Sequence, residues 1–365
     1  MKIGIIGAGQ LGRMLALAGY PLGISCTFLD SDKSSPGGLV SAIHVGAFDD
    51  IKKLNVLASD VEVLTYEFEN IPVEALKSID SGIPIYPQLE ALTSAQDRLL
   101  EKQLFQSLGI PTADYVPIDN SSDLESAKKK LGWPIVLKAR RLGYDGRSQH
   151  VVNSDISLQS AWDDLDHVPS IAESWINFER ELSIIASRGA EGETVYYPLS
   201  ENVHENGILR TTVAPYDDSI LQNNAQNWIS AIMEKFNYRG TLTVEFFHTN
   251  EGLIANEMAP RVHNSGHWTI EGAETSQFEN HLRAVLGLPL GDTKPRGCSA
   301  MLNLIGTMPN LTAATKIPGA HLHDYCKSPR PNRKLGHITL LSNTRENLLK
   351  KLQDTMKTLN RTSIS

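Results

Sequence analysis

A stretch of alternating polar and apolar residues, Thr241–Phe247, constrains the fold more than any other part of this sequence. Its period of two is that of a strand with one buried face, and Glu245 falls on the polar face. The turn-forming segment His248–Gly252 follows, and Leu253–Glu257 can return as the partner strand. We therefore predict a β-hairpin that brings Glu245 and Glu257 close together.

Two carboxylates that face each other across a hairpin repel, which destabilises the strand pair. A bound cation reverses the sign of that interaction, and Mg²⁺ accepts one or two carboxylates beside waters and substrate phosphates. A dense polar cluster follows the hairpin and contains Arg261, His263, Asn264 and Ser265. The hairpin is therefore a candidate metal site, with a solvated hairpin and polar loop as the alternative.

The overall composition narrows the class of protein. A chain of 365 residues is too long for one ordinary core and predicts two or three domains. Its net charge of −8 gives no electrostatic footprint for nucleic acid. The three cysteines, Cys26, Cys298 and Cys326, are far apart, which favours reduced thiols in a cytosol. No stretch resembles a transmembrane span, so we expect a cytoplasmic protein without membrane partners.

The N-terminal segment has the pattern of a Rossmann-like unit. Lys2–Ile6 predicts a buried strand, and Gly7–Gly12 is a G-x-G-x-x-G turn that opens a helix through about Tyr20. Ile24–Leu29 predicts the second strand, which is followed by Asp30. The turn indicates a dinucleotide site or another anion site at a helix N-terminus. Alternatively, its glycines only permit a tight turn.

Acidic residues follow the next predicted strand, Val61–Tyr66. Because ligands gather beyond the carboxyl ends of parallel strands, Glu67 and Glu69 are candidate site residues. They can equally be acids at a helix N-terminus. A helix over Ala91–Leu108 is predicted to follow.

A lysine in a strand and a glycine-containing loop form the next candidate site. Trp133–Ala139 is an apolar strand interrupted by Lys138, and a buried lysine needs an anion. The loop Gly143–Gln149 has a basic tip. It is typical of a mobile lid over phosphates, and also of a plain hairpin turn.

The strands Ile171–Ile176 and Glu181–Ala186 each carry one acid, Glu173 and Glu181. These carboxylates can accept hydrogen bonds from ribose hydroxyls or lie on the surface. We further predict a polar turn, Glu201–Gly207, that carries His204, and helices over Asn224–Phe236 and Gln277–Leu286.

The C-terminal part contains a basic run, Lys327–His337, with four cations within eight positions. In a chain of negative net charge this run is either a solvated loop or a clamp for a phosphate monoester.

The motifs resemble the ATP-grasp superfamily and, within it, the branch that carboxylates 5-aminoimidazole ribonucleotide in purine biosynthesis. The resemblance spans nearly the whole chain, and the run APRVHNSGHW carries most of it. The matching strings are GAGQLGRM (Gly7–Met14), QDRLLEKQLF (Gln96–Phe105), GYDGR (Gly143–Arg147), YPLSENVHENGILRTTVAP (Tyr197–Pro215), NEMAPRVHNSGHWTIEGAETSQFENHLRA (Asn256–Ala284) and RKLGHITL (Arg333–Leu340).

This resemblance implies a mixed α/β and α+β protein with the ATP-grasp fold. We expect an N-terminal Rossmann-like pre-ATP-grasp domain over residues 1–97, a two-lobed ATP-grasp domain over 98–290 and a small β-rich C-terminal domain over 291–365. The implied enzyme is an ATP-dependent ligase that uses Mg²⁺, bicarbonate and 5-aminoimidazole ribonucleotide, passes through carboxyphosphate and forms a homodimer.

The resemblance also assigns roles to individual residues. The implied catalytic residues are Arg261, Tyr144 and Arg147, and the implied metal ligands are Glu245 and Glu257. The implied ATP-binding residues are Arg98, Lys138, Gly143, Tyr144, Asp145, Gly146, Arg147, Ser148, Gln149, Glu173, Ser174, Trp175, Ile176, Glu181, His204, Asn256 and Glu257. The implied residues for the ribonucleotide and carboxyphosphate are Glu67, Arg261, His263, Asn264, Ser265, Lys327, Arg333 and Lys334.

The sequence departs from the pattern of this branch in the loop, where Leu142 and Ser148 stand at positions that are glycine in many relatives. Those residues are expected to stiffen the lid.

Three alternative functions remain open from the sequence. They are an NAD-dependent dehydrogenase built on Gly7–Gly12 and Asp30, another ATP-grasp ligase such as a formate-dependent ribotide transformylase, and a non-catalytic nucleotide-binding regulator.

Overall fold

The computed structural model describes residues 1–80, 82–143 and 148–359, which form three β-sheets. One sheet is parallel and four-stranded, one is antiparallel and four-stranded, and the largest has nine strands. Helices cover these sheets, which confirms the predicted combination of α/β and α+β structure. Within the described ranges, no helix is both long and apolar enough to cross a membrane.

The N-terminal residues form the parallel sheet, with strand order β3-β2-β1-β4. Its apolar strands are covered by helices, as buried parallel strands require. The predicted first strand and its glycine turn are confirmed. The strands are β1 (Lys2–Ile6), β2 (Ser25–Asp30), β3 (Ile43–Val45) and β4 (Val63–Tyr66), and the helices are α1 (Gln10–Gly19), α2 (Ile51–Ala58), α3 (Val73–Lys77) and α4 (Leu89–Ala95).

The single helix predicted over Ala91–Leu108 is wrong, because the chain forms α4 and then a separate helix α5 (Arg98–Ser107). Asp97 separates them: its backbone is extended, and its side chain accepts a hydrogen bond from the Leu99 amide as the N-cap of α5. Arg140 also donates two hydrogen bonds to that carboxylate, at 2.9 and 2.8 Å. A long-range ion pair therefore fixes the helix start.

The small antiparallel sheet has strand order β5-β8-β6-β7 and its own apolar core. The strand predicted over Trp133–Ala139 begins at Ile135, after Pro134, which has no amide to donate to a ladder. The elements of this unit are β5 (Tyr115–Ile118), α6 (Ser121–Leu131), β6 (Ile135–Ala139), β7 (Gln149–Val152), α7 (Asp155–Asp164) and β8 (Ser170–Ser174).

The large sheet has the order β14-β13-β9-β11-β12-β15-β17-β16, and β10 pairs with β9. It is continuous across the predicted boundary at 290, because β12 pairs with β15. Its strands are β9 (Arg180–Arg188), β10 (Thr194–Tyr196), β11 (Ser200–Glu205), β12 (Ile208–Ala214), β13 (Gly240–Thr249), β14 (Gly252–Ala259), β15 (Cys298–Ile305), β16 (Ala320–Asp324) and β17 (Lys334–Ser342). The helices of this region are α8 (Ser219–Lys235), α9 (Thr269–Gly272), α10 (Gln277–Leu286), α11 (Leu311–Thr315) and α12 (Arg345–Thr358).

The polar turn predicted over Glu201–Gly207 is mostly strand. His204 lies on β11, and the turn itself is confined to Asn206 and Gly207, which have φ angles of 52° and 73°. Pairing of β11 with β9 and β12 overrides the local polar character of the segment.

Candidate active site

The hairpin of β13 and β14 confirms the arrangement predicted from the alternating pattern. Glu245 and Glu257 are direct partners in the antiparallel register, and a register shift follows Glu245. Direct partners across antiparallel strands have their Cβ atoms about 5 Å apart. The two carboxylates therefore meet on one face of the large sheet.

The two glutamates differ in their electrostatic environment. Burial raises the pKa of Glu245 to about 7, and the neighbouring Glu257 and Glu181 carboxylates add to the rise. Burial acts in the same direction on Glu257, but Arg98 and Lys138 outweigh it and lower the pKa of that carboxyl. Glu245 Oε1 is buried and has no hydrogen-bond partner among the described residues. Within the described part of the chain, no donor therefore satisfies the lone pairs of this buried oxygen.

Helix α5 supplies cations to this hairpin. Arg98 Nη1 lies 3.3 Å from Glu257 Oε2, and Lys102 Nζ donates to the Asn256 backbone carbonyl at 2.8 Å. The Glu101 carboxylate accepts a hydrogen bond from the Met258 amide at 2.7 Å. Sequence reasoning missed Glu101 and Lys102, although their spacing of three and four residues from Arg98 places all three on one helix face.

The lysine predicted to need an anion has one within the protein. Lys138 Nζ donates to Glu173 Oε2 at 2.9 Å, and Lys102 Nζ lies 3.6 Å from the same oxygen. Burial opposes ionisation of Glu173, but Lys102 and Lys138 outweigh it and lower the pKa of this carboxyl to about 2. Burial also lowers the pKa of Lys138, against the effect of Glu173.

The remaining residues predicted for the nucleotide lie on strands around this pair. Glu181 Oε2 and His204 Nδ1 are 2.8 Å apart, on β9 and β11. Burial disfavours the charged His204, but the Glu181 and Glu245 carboxylates outweigh it and raise the pKa of this imidazole. Asn256 Oδ1 is buried without a partner among the described residues. Ser174 ends β8, and Trp175 and Ile176 follow it.

The loop predicted as a lid is only partly within the described residues. Tyr144, Asp145, Gly146 and Arg147, which include two predicted catalytic residues, lie outside them. Gly143, Ser148 and Gln149 are described, and Gln149 begins β7. Leu142 and Ser148 have φ angles of 62° and 58°, in the left-handed region that favours glycine. Leu142 and Ser148 therefore hold a backbone conformation that glycine would adopt without steric cost.

The polar cluster after the hairpin packs beside Glu245. The His263 ring lies 3.8 Å from Glu245 Oε1 through Nε2 and 2.9 Å from Ser265 Oγ through Nδ1. Burial lowers the pKa of His263 well below its usual value, and Arg261 adds to that effect, so the ring is neutral. Arg261 Nη2 bonds Glu69 Oε1 at 2.7 Å. The structure thus brings Glu69 to the site, as an anchor for the predicted catalytic arginine.

The glycine turn at the start of α1 binds carboxylates of its own chain. Glu67 accepts hydrogen bonds from the Gly9 and Gly12 amides at 2.5 and 2.7 Å, and Asp30 Oδ2 accepts from Ala8 at 2.7 Å. A Cβ atom on Gly9 would lie 2.4 Å from Glu67 Oε1. The amides that would receive a dinucleotide phosphate are thus engaged by Glu67, which argues against the dehydrogenase alternative.

The cations of the C-terminal basic run point to different neighbours. Lys327 Nζ bonds the Gln10 side chain at the start of α1, and Arg333 Nη1 donates to the Ser328 carbonyl at 3.1 Å. Lys334 begins β17. Its charge partly offsets the rise that burial causes in the pKa of Glu245, and it adds to the fall that burial causes in the pKa of His263. Among the described cations of this run, Lys334 is therefore the one whose charge acts on Glu245.

Family models match three successive parts of the chain. The ribonucleotide synthetase preATP-grasp domain matches residues 1–96, the ATP-grasp domain 103–278 and the phosphoribosylaminoimidazole carboxylase C-terminal domain 299–351. N5-carboxyaminoimidazole ribonucleotide synthase from Pseudomonas aeruginosa is 47% identical over 343 residues, which cover 93% of this chain and 94% of that protein. The chain belongs to the N5-carboxyaminoimidazole ribonucleotide synthase family.

Solved structures of this family agree with the fold. The crystal structure of N5-carboxyaminoimidazole ribonucleotide synthetase from Thermus thermophilus has a TM-score of 0.94 at 49% identity and covers 99% of both chains. The synthase from Aspergillus clavatus, in complex with ADP and 5-aminoimidazole ribonucleotide, has a TM-score of 0.92 at 33% identity and covers 99% of both chains. These matches confirm the predicted ATP-grasp fold and the assignment to the ATP-grasp ligases.

Proposed function

We propose that this chain converts 5-aminoimidazole ribonucleotide, bicarbonate and ATP into N5-carboxyaminoimidazole ribonucleotide, ADP and phosphate in purine biosynthesis. Family membership supports the overall conversion, and the Aspergillus clavatus structure holds ADP with the ribonucleotide. Within this chain, the proposal depends on one observation. The carboxylates of Glu245 and Glu257 face each other in a partly buried setting beside Arg98, and Glu245 Oε1 receives no hydrogen bond from the described residues.

Bicarbonate is a poor electrophile and needs activation before an amine can attack it. A bicarbonate oxygen attacks the γ-phosphorus, ADP leaves, and carboxyphosphate forms. Carboxyphosphate then breaks into CO₂ and phosphate beside the amine, whose nitrogen forms a bond to the carbon and passes its proton to phosphate. Water must be excluded from these steps, because it hydrolyses carboxyphosphate. The share of the protein is positioning and charge neutralisation, as in other phosphoryl transfers.

The glutamate pair fits Mg²⁺, which we propose as the metal. Among the described residues, no group of three or more histidines, cysteines or acids is arranged to hold a metal on its own. Two carboxylates are nevertheless sufficient for Mg²⁺, which completes its shell with waters and substrate phosphates. Glu245 Oε1 is buried and receives no hydrogen bond from the described part of the chain, so its lone pairs suit a cation ligand. When bound, the ion supplies Lewis-acid neutralisation of phosphate charge.

Residues around the pair have the chemistry that a nucleotide requires. We assign Arg98 and Lys138 to the ATP phosphates, because both carry positive charge close to Glu257. Glu181 accepts a hydrogen bond from His204 and has further lone pairs suited to ribose hydroxyls. The segment Glu173, Ser174, Trp175 and Ile176 is assigned to the adenine side, and Asn256 completes the pocket.

The remaining assignments concern bicarbonate and the ribonucleotide. Arg261 is anchored by Glu69, and the neutral His263 can donate a hydrogen bond without adding charge. Arg261 and His263 are assigned to carboxyphosphate and the ribonucleotide. The same assignment includes Asn264, Ser265 and the lid residues Tyr144 and Arg147. Lys327, Arg333 and Lys334 are assigned to the ribonucleotide phosphate. Glu67, whose oxygens already receive two amides, is assigned to the imidazole side through its remaining lone pairs.

We further propose that the enzyme acts in the cytoplasm as a homodimer. Its odd number of dispersed cysteines supports a reducing compartment. The domain boundaries proposed at 97/98 and 290/291 lie in the gaps between the three family-model matches.

The proposal is tested by measuring ATP-dependent phosphate release in bicarbonate buffer with and without 5-aminoimidazole ribonucleotide. We expect release to depend on bicarbonate and to be accompanied by one carboxylated ribonucleotide per phosphate. A parallel reaction with formate in place of bicarbonate is the control for a transformylase. Release that follows formate, or no release with the complete substrate set, would refute the proposal.

A further inference from the structure

A buried asparagine on β15, Asn303, holds the side chain of Asn264. Asn303 Nδ2 donates to the Leu209 backbone carbonyl at 2.9 Å, and a carbonyl oxygen can only accept. The reverse orientation of the Asn303 amide would set two acceptors against each other, so this bond fixes which side-chain atom is nitrogen.

The amides of Asn303 and Asn264 form a reciprocal pair. Asn303 Nδ2 donates its second hydrogen to Asn264 Oδ1 at 2.8 Å, and Asn264 Nδ2 donates to Asn303 Oδ1 at 3.1 Å. The orientation of Asn303 therefore dictates that of Asn264. Asn264 Nδ2 also lies 3.1 Å from His267 Nδ1. Burial lowers the pKa of His267 well below its usual value, so the ring is neutral. Because the Asn303 pair fixes Asn264 Nδ2 as a donor, the lone pair of His267 lies on Nδ1, which the Tyr325 hydroxyl also approaches at 3.0 Å.

This arrangement limits what Asn264 can offer to a ligand. Its amide nitrogen has two hydrogens, and both are donated within the protein, to Asn303 and His267. Its Oδ1 has two lone pairs, of which Asn303 takes one among the described residues. Asn264 is partly exposed, and among the described residues the hydrogen-bonding capacity that its side chain retains for a ligand is that of an acceptor.

We propose that Asn264 recognises the exocyclic amine of the ribonucleotide by accepting one of its N–H hydrogens, and that Asn303 is the positioning residue that sets this polarity. The inference rests on the proposed function, under which Asn264 faces the ribonucleotide and carboxyphosphate. A phosphate oxygen requires a donor, which this side chain no longer has, whereas an amine hydrogen requires an acceptor. Because the amine donates an N–H hydrogen in this bond, its nitrogen lone pair stays free to attack the carbon.

The test compares two ligands by calorimetry without ATP: 5-aminoimidazole ribonucleotide and imidazole ribonucleotide, which lacks the amine. We expect the wild-type protein to bind the amine-bearing ligand about tenfold more tightly, the effect of one net hydrogen bond. Asn303→Asp removes the donor that orients the Asn264 amide, so this preference should disappear.

Asn280→Asp is the matched control for Asn303→Asp. Asn280 is fully buried on α10, and its Nδ2 donates to the Gly291 backbone carbonyl at 3.1 Å while its Oδ1 accepts from the Gly291 amide. This variant loses a comparable donor outside the site and should keep the tenfold preference. A folded Asn303→Asp protein that keeps the preference would overturn the inference.

Variants of Asn264 itself provide a test that does not depend on the stability of Asn303 variants. Asn264→Asp retains an oxygen acceptor and should keep the amine preference, whereas Asn264→Leu should lose it. Equal loss in both would show that Asn264 acts as a donor and would overturn the inference. A wild-type enzyme that carboxylates 5-aminoimidazole ribonucleotide but binds both ligands equally tightly would also overturn the inference. That result would leave the proposed function intact. Failure to bind either ribonucleotide would refute the proposed function as well.

Discussion

Replacing Glu257 by glutamine separates the role of this residue in catalysis from its role in the fold. The variant Glu257→Gln keeps the size and shape of the side chain and removes one of two opposed negative charges. If the pair holds Mg²⁺ on the nucleotide phosphates, turnover should collapse while the protein remains folded.

The expected change in stability is small because two opposing effects nearly cancel. The ion pair with Arg98 spans 3.3 Å, and the Glu257 side chain is 40% exposed, so its loss costs at most about 1 kcal/mol. Removing the repulsion between cross-strand carboxylates at Glu245 and Glu257 returns about 0.2–1 kcal/mol. We therefore expect the free energy of unfolding to change by less than about 1 kcal/mol.

The expected change in turnover is much larger. Loss of a charged metal ligand or a comparable preorganised electrostatic group costs roughly 3–4 kcal/mol of transition-state stabilisation. At 1.36 kcal/mol for each factor of ten, this predicts a fall in kcat of about 10²–10³.

The assay measures bicarbonate-dependent phosphate release together with urea unfolding of the same preparations. Glu251→Gln is the matched control, because Glu251 lies exposed in the turn of the same hairpin and should leave both quantities unchanged. Phosphate release by Glu257→Gln within a few-fold of the wild-type rate would refute the metal role. A large loss of stability would instead show that the pair is needed for the fold.

Three further predictions concern other charges of the site. Burial raises the pKa of Glu245 to about 7, so between about pH 4.5 and 7 the folded state binds more protons than the unfolded state. The free energy of unfolding of the wild type, measured relative to Glu245→Gln, should therefore fall as the pH rises through that window. A difference that stays constant with pH would contradict the shift. Lys334→Ala should weaken ribonucleotide binding more than ATP binding in calorimetric titrations, and equal losses would exclude a phosphate clamp. Glu173→Gln leaves Lys102 and Lys138 buried without their carboxylate and should cost about 3–5 kcal/mol in urea unfolding, whereas a loss below about 1 kcal/mol would show that water solvates both lysines.

The elements that the sequence predicts well are those whose pattern is local. The strand Lys2–Ile6 and the helix Gln277–Leu286 have the predicted bounds, because each carries its own hydrophobic period and its own end signals. The hairpin is also local, since a short turn and a period of two fix the register that places Glu245 opposite Glu257.

The features that could not be predicted depend on partners far along the chain. Glu67 is recognisable as an acid at a strand end, but its bonds to Gly9 and Gly12 join residues 58 and 55 positions apart. The break before α5 depends on Arg140, 43 positions after Asp97. Asn303 has no motif around it, and its contact with Asn264 arises only because β15 continues the large sheet.

The face of α5 that contacts β14 links the Glu245–Glu257 pair to the pocket proposed for the nucleotide. Arg98 contacts the Glu257 carboxylate, Glu101 holds the Met258 amide, and Lys102 holds the Asn256 carbonyl, so three consecutive residues of β14 are fixed by one helical turn. Lys102 also lies 3.6 Å from Glu173, on the small antiparallel sheet. Displacement of the first turn of α5 would therefore move the glutamate pair and the nucleotide pocket together. The N-cap at Asp97, which sets where this first turn begins, therefore helps to position both.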